Sequence, residues 1–90
     1  MDFESYEKTA VKLKAVSHPI RLCILNGLLK DKCNVKHICE RIGISQPVVS
    51  LHLSKLRAAG IVKGERQGNR VCYTVVDDDI INVVKMLFSK

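Results

Sequence analysis

The sequence predicts a mainly helical fold with one small β-hairpin, and three observations support this fold class. Apolar residues recur every three or four positions over much of residues 3–58, as expected for amphipathic helices. The next stretch contains short strand-like runs separated by Gly68-Asn69, a dipeptide typical of tight turns. The chain of 90 residues has the length of one compact domain. We therefore expect residues 1–90 to form a single domain.

The first two predicted helices are separated by a proline. Hydrophobic spacing predicts the first helix over residues 3–16. It ends before His18, because the residue that precedes a proline is disfavoured in helical conformation. Pro19 suits the first turn of a second helix, whose apolar residues continue to Leu29.

A short third helix and a longer fourth helix follow. We expect Asn34 to cap the third helix and Gly43 to end it in the left-handed conformation that glycine tolerates best. Ser45 is expected to cap the fourth helix, and Gly60 to end it. Only three residues, 43–45, separate the two helices, which is the arrangement of a helix-turn-helix.

The rest of the chain predicts a hairpin and a last helix. Ile61-Val62 opens the first strand, and the second strand covers residues 70–76. The aspartates at 77–79 favour the positive end of a helix that reaches Lys90. A hairpin directly behind a helix-turn-helix gives a winged helix-turn-helix with the order α-α-α-α-β-β-α.

Positive charge is concentrated in the middle of the chain. The formal net charge is +6, and residues 34–70 alone carry seven basic and two acidic side chains. This distribution favours one face that meets a polyanion such as double-stranded DNA. A solvated basic surface is the alternative, because a net charge of this size is ordinary for a small soluble domain.

The sequence predicts a cytoplasmic protein with no membrane partner. No apolar run approaches the ~20 residues that a membrane-spanning helix needs. The N-terminal segment is acidic and interrupted, unlike a secretory signal.

The fourth helix has two chemically different faces when its residues are placed 100° apart. Val49, Leu53 and Leu56 share the inward face, and His52 lies at its edge, where we expect a structural histidine. The opposite face lacks acidic groups, and in helix-turn-helix proteins the N-terminal part of this second helix contacts base edges. The side chains expected to contact DNA from this helix are Gln46, Pro47, Val48, Ser50, Leu51, Ser54 and Lys55.

These side chains have different expected roles. Gln46 suits adenine edges, Leu51 and Val48 suit thymine methyl groups, and Lys55 suits phosphates. The alternative for Leu51 is packing against another part of the protein.

The tip of the hairpin is basic. We expect Arg66, Asn69 and Arg70 to reach the minor groove or its bordering phosphates. The alternative is that these charges only protect an edge strand from aggregation.

Four stretches together resemble the ArsR/SmtB-type winged-helix repressors of bacteria and archaea. They are residues 13–22, 45–53, 56–62 and 68–73, in the order and spacing of that family. The resemblance implies a homodimer that binds an operator near its own promoter and releases it when an inducer binds. In similar proteins the first and last helices form the dimer interface.

The last helix supports a dimer independently of the resemblance. It is apolar nearly all round, and one small core cannot cover every side of such a helix. A two-fold dimer would place two DNA-contacting helices about one DNA turn, ~34 Å, apart and predicts an inverted-repeat operator.

Four cysteines suggest candidates for the inducer site. In a cytoplasmic protein they argue against structural disulfides and favour free, metal-bound or redox-active thiols. Cys39 matches the first position of the Cys-x-Cys metal site in similar repressors, but Arg41 occupies the second. The last helix lacks the histidines and the cysteine that other relatives use.

Cys39, Cys33 and Cys23 therefore remain the thiol candidates, with a redox signal, reactive sulfur or a thiophilic metal ion as the inducer. Constitutive DNA binding with no inducer is the third possibility. Cys33 and His37 are four residues apart, a spacing that places two ligands on one helical face but leaves a metal site incomplete. The alternative is that the cysteines, Cys72 among them, are small buried hydrophobic residues.

Two other function classes compete with a DNA-binding regulator. A protein-interaction module is one, because winged helices also serve as docking domains. An enzyme is the least expected, because Ser50 and His52 are two residues apart on one helix and face different directions.

Overall fold

The computed structural model describes residues 2–31 and 35–89, and the helices and strands follow the predicted order. This arrangement confirms the winged helix-turn-helix fold. The elements are α1 (Phe3–Val16), α2 (Pro19–Lys30), α3 (Val35–Ile42), α4 (Gln46–Ala58), β1 (Val62–Gln67), β2 (Arg70–Val75) and α5 (Asp78–Phe88).

Local signals account for most of the element boundaries. Pro19 is the first residue of α2, and Gly43 and Gly60 adopt positive φ angles of 67° and 77° after α3 and α4. Ser45 occupies the N-cap position of α4 but makes no side-chain capping hydrogen bond, so the prediction holds for its position only. The predicted cap Asn34 lies outside the described residues.

The last strand and the last helix are shorter than predicted. β2 ends at Val75, although the Val76 amide still donates to the Ile61 carbonyl at 2.9 Å, one step beyond the pair of Val62 with Val75. α5 ends at Phe88 rather than at Lys90, which lies outside the described residues. Its start is fixed by Asp77, whose Oδ1 accepts a hydrogen bond from the Ile80 amide at 3.0 Å.

The core is built around α2, which contacts α3, α4, α5 and β2. The buried side chains are apolar and come from every element, as expected when amphipathic faces converge. Those that are almost completely inaccessible are Ile24, Leu25, Leu28, Val49, Leu53, Leu56, Ile61, Ile80 and Val84.

The hairpin extends from this core as the wing. β1 and β2 pair antiparallel, with Val62 opposite Val75 at the buried base and Gln67 opposite Arg70 at the exposed tip. Gly68 closes the turn with a φ of 65°, a conformation that suits glycine. The wing therefore has a fixed base and an exposed tip beside α4.

Candidate nucleic-acid interface

The outward face of α4 and the wing form one accessible surface. All the side chains predicted to contact DNA are exposed in the structure. They are Gln46, Pro47, Val48, Ser50, Leu51, Ser54 and Lys55 on α4, and Arg66, Asn69 and Arg70 on the wing.

Four of these predicted residues meet in one groove between α4 and the wing. Gln46 and Ser50 line it from α4, and Asn69 and Arg70 line it from the hairpin, around a volume of about 470 Å³. The other predicted residues lie outside this groove, on α4 and on β1. Residues that are distant in sequence thus share a surface that combines amide, hydroxyl and guanidinium groups.

Lys36 also lines this groove, from the first turn of α3, and the sequence analysis missed it. Its charge and its position beside the first apolar residue of α3 were available signals. Lys36 adds a cation from α3 to the lining of the groove.

Two apolar side chains stand out on the α4 surface. Leu51 is 56% exposed and Val48 is 38% exposed, although leucine and valine are usually buried. The alternative that Leu51 packs against another part of the chain is therefore wrong for this structure. Both side chains are available for apolar contact with a partner.

The wing carries cations without ion-pair partners among the described residues. Lys63 Nζ lies 3.4 Å from Glu65 Oε1, so the carboxylate of Glu65 compensates the positive charge of Lys63. Within residues 2–31 and 35–89, neither Arg66 nor Arg70 forms an ion pair. Their charges remain available to a polyanion.

The inward face of α4 is held by packing and by one polar contact. Val49, Leu53 and Leu56 are fully buried. At the edge of that face, Arg21 Nε donates a hydrogen bond to His52 Nδ1 at 3.2 Å. Burial lowers the pKa of His52 below its ordinary value of 6.5. His52 is thus a structural histidine, as the sequence analysis expected.

The three described cysteines occupy different environments. Cys39 is buried, and burial raises the pKa of its thiol above the ordinary 9.0, which disfavours the reactive thiolate. Cys23 is half-buried and lines a cavity of about 320 Å³ with Gly27, His37 and Arg41. The predicted candidate Cys33 lies outside the described residues.

Cys72 corrects one expectation. It is disulfide-bonded in the structure, whereas the sequence analysis argued against disulfides. The redox compartment alone does not decide whether a disulfide forms, because a disulfide also depends on which thiols the fold brings together.

Among the described residues, no three His, Cys, Asp or Glu side chains are placed to hold a metal ion.

The fold and this surface define a winged helix-turn-helix DNA-binding protein. Residues 18–63 match the family described as bacterial regulatory protein, arsR family. The transcriptional repressor PagR of Bacillus anthracis is 35% identical over 88 residues, which cover 97% of this chain and 88% of PagR. The PagR crystal structure covers 96% of this chain and 99% of its own, with a TM-score of 0.82.

Two further proteins are similar to this chain in sequence or structure. The nodulation protein NolR of Rhizobium meliloti is 34% identical over 84 residues, which cover 93% of this chain and 69% of NolR. The homodimeric winged helix-turn-helix domain of Mb0332 from Mycobacterium bovis is 25% identical, covers 93% of this chain and 78% of its own, and has a TM-score of 0.80. The chain belongs to the arsR family, and it is a DNA-binding transcriptional regulator.

Within the described part of the chain, no helix has the length and apolar character needed to cross a membrane.

Replacing Arg66 and Arg70 together with Ala should weaken DNA binding and reduce its salt dependence. Each lost phosphate contact lowers the slope of log K against log[salt] by about 0.9, so two such contacts account for about 2 per protomer. The measurement is fluorescence anisotropy on a duplex from the upstream region of the gene, over a range of salt concentrations.

The matched control is Lys8→Ala, which removes a cation from α1, where Lys8 pairs with Glu4 at 3.1 Å. It should leave the slope unchanged. An Arg66→Ala, Arg70→Ala protein with the slope of the unmodified chain would contradict a role of the wing in phosphate contact.

Proposed function

We propose that this chain is a homodimeric repressor, that it binds an inverted-repeat operator through α4 and the wing, and that an inducer reacting with a thiol releases it. In this proposal residues 1–90 act as one winged helix-turn-helix domain in the cytoplasm. The observation that carries the proposal is the groove in which Gln46 and Ser50 of α4 face Asn69 and Arg70 of the wing.

The proposed DNA contacts follow from the chemistry of this surface. Amide and hydroxyl groups at the start of α4 suit base edges in the major groove, and the exposed Leu51 suits a thymine methyl group. Lys55 and Arg66 suit phosphates, where they add affinity without sequence choice. The tip of the wing suits the adjacent minor groove or its phosphates.

An apolar surface formed by α1 and α5 supports the proposed dimer. Val11 and Leu13 of α1 and Met86 and Leu87 of α5 are exposed, although they are large apolar side chains. The two helices border an open groove of about 670 Å³, which also includes Leu22 and Val83. A contiguous apolar surface of this kind usually marks a protein interface. The homodimeric state named for Mb0332 is consistent with this proposal.

The accessible thiol supports Cys23 as the site where the inducer acts. Cys23 borders a cavity between α2 and α3, whereas Cys39 is buried with a raised pKa. A change at Cys23 would act on α2, which contacts α3, α4 and α5. Displacement of these helices would favour a dimer in which the two α4 helices no longer fit successive major grooves.

Replacing Leu87 with Glu should convert the dimer to a monomer and weaken operator binding. The reason is that a carboxylate in an apolar interface loses its hydration without gaining a partner. Size-exclusion chromatography with light scattering measures the mass, and anisotropy measures the binding.

Leu51→Glu is the matched control, because it places the same carboxylate on an exposed leucine of α4. This variant should stay dimeric and lose DNA binding by charge repulsion. A Leu87→Glu protein that keeps the dimeric mass would show that the interface lies elsewhere.

Polysulfide added to the protein–DNA complex should release the DNA. A Cys23 thiolate attacks a terminal sulfur of the polysulfide, takes up that sulfur as a persulfide and displaces a polysulfide shorter by one atom. Anisotropy follows the release, and mass spectrometry locates the added sulfur.

The Cys23→Ser protein should keep its complex under polysulfide, and Cys39→Ser, the control in a buried position, should release DNA as the unmodified chain does. If the Cys23→Ser protein released DNA at the polysulfide concentration that releases it from the unmodified protein, Cys23 would be excluded as the site of action.

A further inference from the structure

A cluster of three side chains joins the start of α2 to the inward edge of α4. Arg21 Nε donates to His52 Nδ1 at 3.2 Å, and Arg21 Nη1 donates to the Ala15 carbonyl at 2.9 Å. The His18 ring lies against the His52 ring with 4.6 Å between their centroids. Arg21 is therefore fixed at two points, and it holds His52 from a different helix.

Each of the two histidines accepts one hydrogen bond through its own Nδ1. His18 Nδ1 accepts from the Ile20 amide at 3.1 Å and so caps α2, and His52 Nδ1 accepts from Arg21. An imidazolium carries a hydrogen on both ring nitrogens and cannot accept either bond. The contacts of this cluster therefore require neutral rings.

We propose that Arg21 and His52 position α4 for DNA binding, and that protonation of His52 in mildly acidic conditions releases this contact and weakens DNA binding. The inference rests on the proposed role of α4 as the DNA-contacting helix. Arg21 and His52 are positioning residues, because they act through the placement of α4 and not through contact with DNA.

The surroundings of His52 oppose its protonation. Among the described residues, His18 at the N-cap of α2, Arg21 of α2 and Lys55 of α4 are the charged or titratable groups that act on it, and the cations Arg21 and Lys55 repel a positive ring. Burial contributes most to the lowered pKa of His52, followed by His18, Arg21 and Lys55. A proton on His52 thus replaces the hydrogen bond from Arg21 with repulsion from Arg21 and Lys55.

The sign of the pH effect follows from the lowered pKa. Because the pKa of His52 in the folded chain lies below 6.5, neutral His52 stabilises the fold at pH values above 6.5. This contribution is lost as the pH falls from 6.5 through the lower value of the folded state. DNA binding should weaken over the same interval.

This sign is opposite to that of simple charge attraction. Protonation of a histidine that merely lies near DNA adds positive charge, and it should tighten binding to a polyanion. Weaker binding at lower pH therefore separates the positioning role from a general electrostatic one.

The test is the affinity for the upstream duplex at constant ionic strength, measured at about pH 7.5 and about pH 5.5. We expect binding about two- to fivefold weaker at the lower pH, because a pKa below 6.5 leaves part of the His52 population neutral there. His52→Asn places a non-titrating amide oxygen where Arg21 can still donate, so it should bind normally at the higher pH and lose most of the pH dependence.

His37→Asn, which removes an exposed histidine of α3, is the control and should keep the pH profile of the unmodified chain. Circular dichroism at each pH verifies that the helices are intact. Binding that is unchanged or tighter at the lower pH, a profile in His52→Asn as steep as that of the unmodified chain, or a loss that only follows unfolding would overturn the proposal.

A measurement without DNA separates this proposal from the proposed DNA contacts. Long-range ¹H–¹⁵N NMR of the free protein should show His52 protonated at Nε2 and not at Nδ1 at about pH 7.5, with a titration midpoint below 6.5. Protonated Nδ1 at that pH would overturn the cluster itself. If His52 showed the expected tautomer but the protein did not bind DNA, the cluster would stand and the proposed function would fail.

Discussion

The burial of one face of α4 is the constraint on which the rest of the structure depends. Val49, Leu53 and Leu56 are completely inaccessible to solvent and pack into the core built around α2. Each such side chain contributes about 1.5–3 kcal/mol relative to an exposed one. With this face fixed inward, the helical geometry leaves the small polar side chains, Leu51 and Lys55 facing outward.

The wing and the neighbouring helices derive their positions from the same core. Ile61, Val62 and Val75 anchor the base of the hairpin, and its basic tip extends beside α4. α1 contacts α4, α5 contacts α2, and Lys12 Nζ of α1 lies 2.9 Å from Oδ2 of Asp77, the N-cap of α5. The molecule thus presents a polar, basic surface on α4 and the wing, and an apolar surface on α1 and α5. These surfaces serve the two proposed interactions, with DNA and with a second copy of the chain.

Local sequence signals predicted the fold well, because each acts over a few residues. Pro19, Gly43, Gly60 and Gly68 mark helix and turn boundaries through their backbone preferences. Helical periodicity also identified the buried and exposed faces of α4. The arsR family assignment, made from four short stretches, is confirmed by the family match over residues 18–63.

Contacts between distant residues could not be predicted in the same way. Arg21 and His52 are 31 residues apart, and periodicity placed His52 at an edge without identifying its donor. Lys36 enters the α4–wing groove only because α3 packs against α4. The disulfide of Cys72 likewise depends on the fold, and the expected cytoplasmic location gave no information on which thiols the fold brings together. The accessibility of Cys23 and the burial of Cys39 also became apparent only from the packing of α2 and α3.

The most direct test of the account is NMR chemical-shift mapping of the protein titrated with its upstream duplex. We expect the largest changes on the outward face of α4 and on the tip of the wing, with small changes on the apolar surface of α1 and α5. Changes centred on α1 and α5, with α4 and the wing unaffected, would contradict the claim that burial of one α4 face presents the other to DNA.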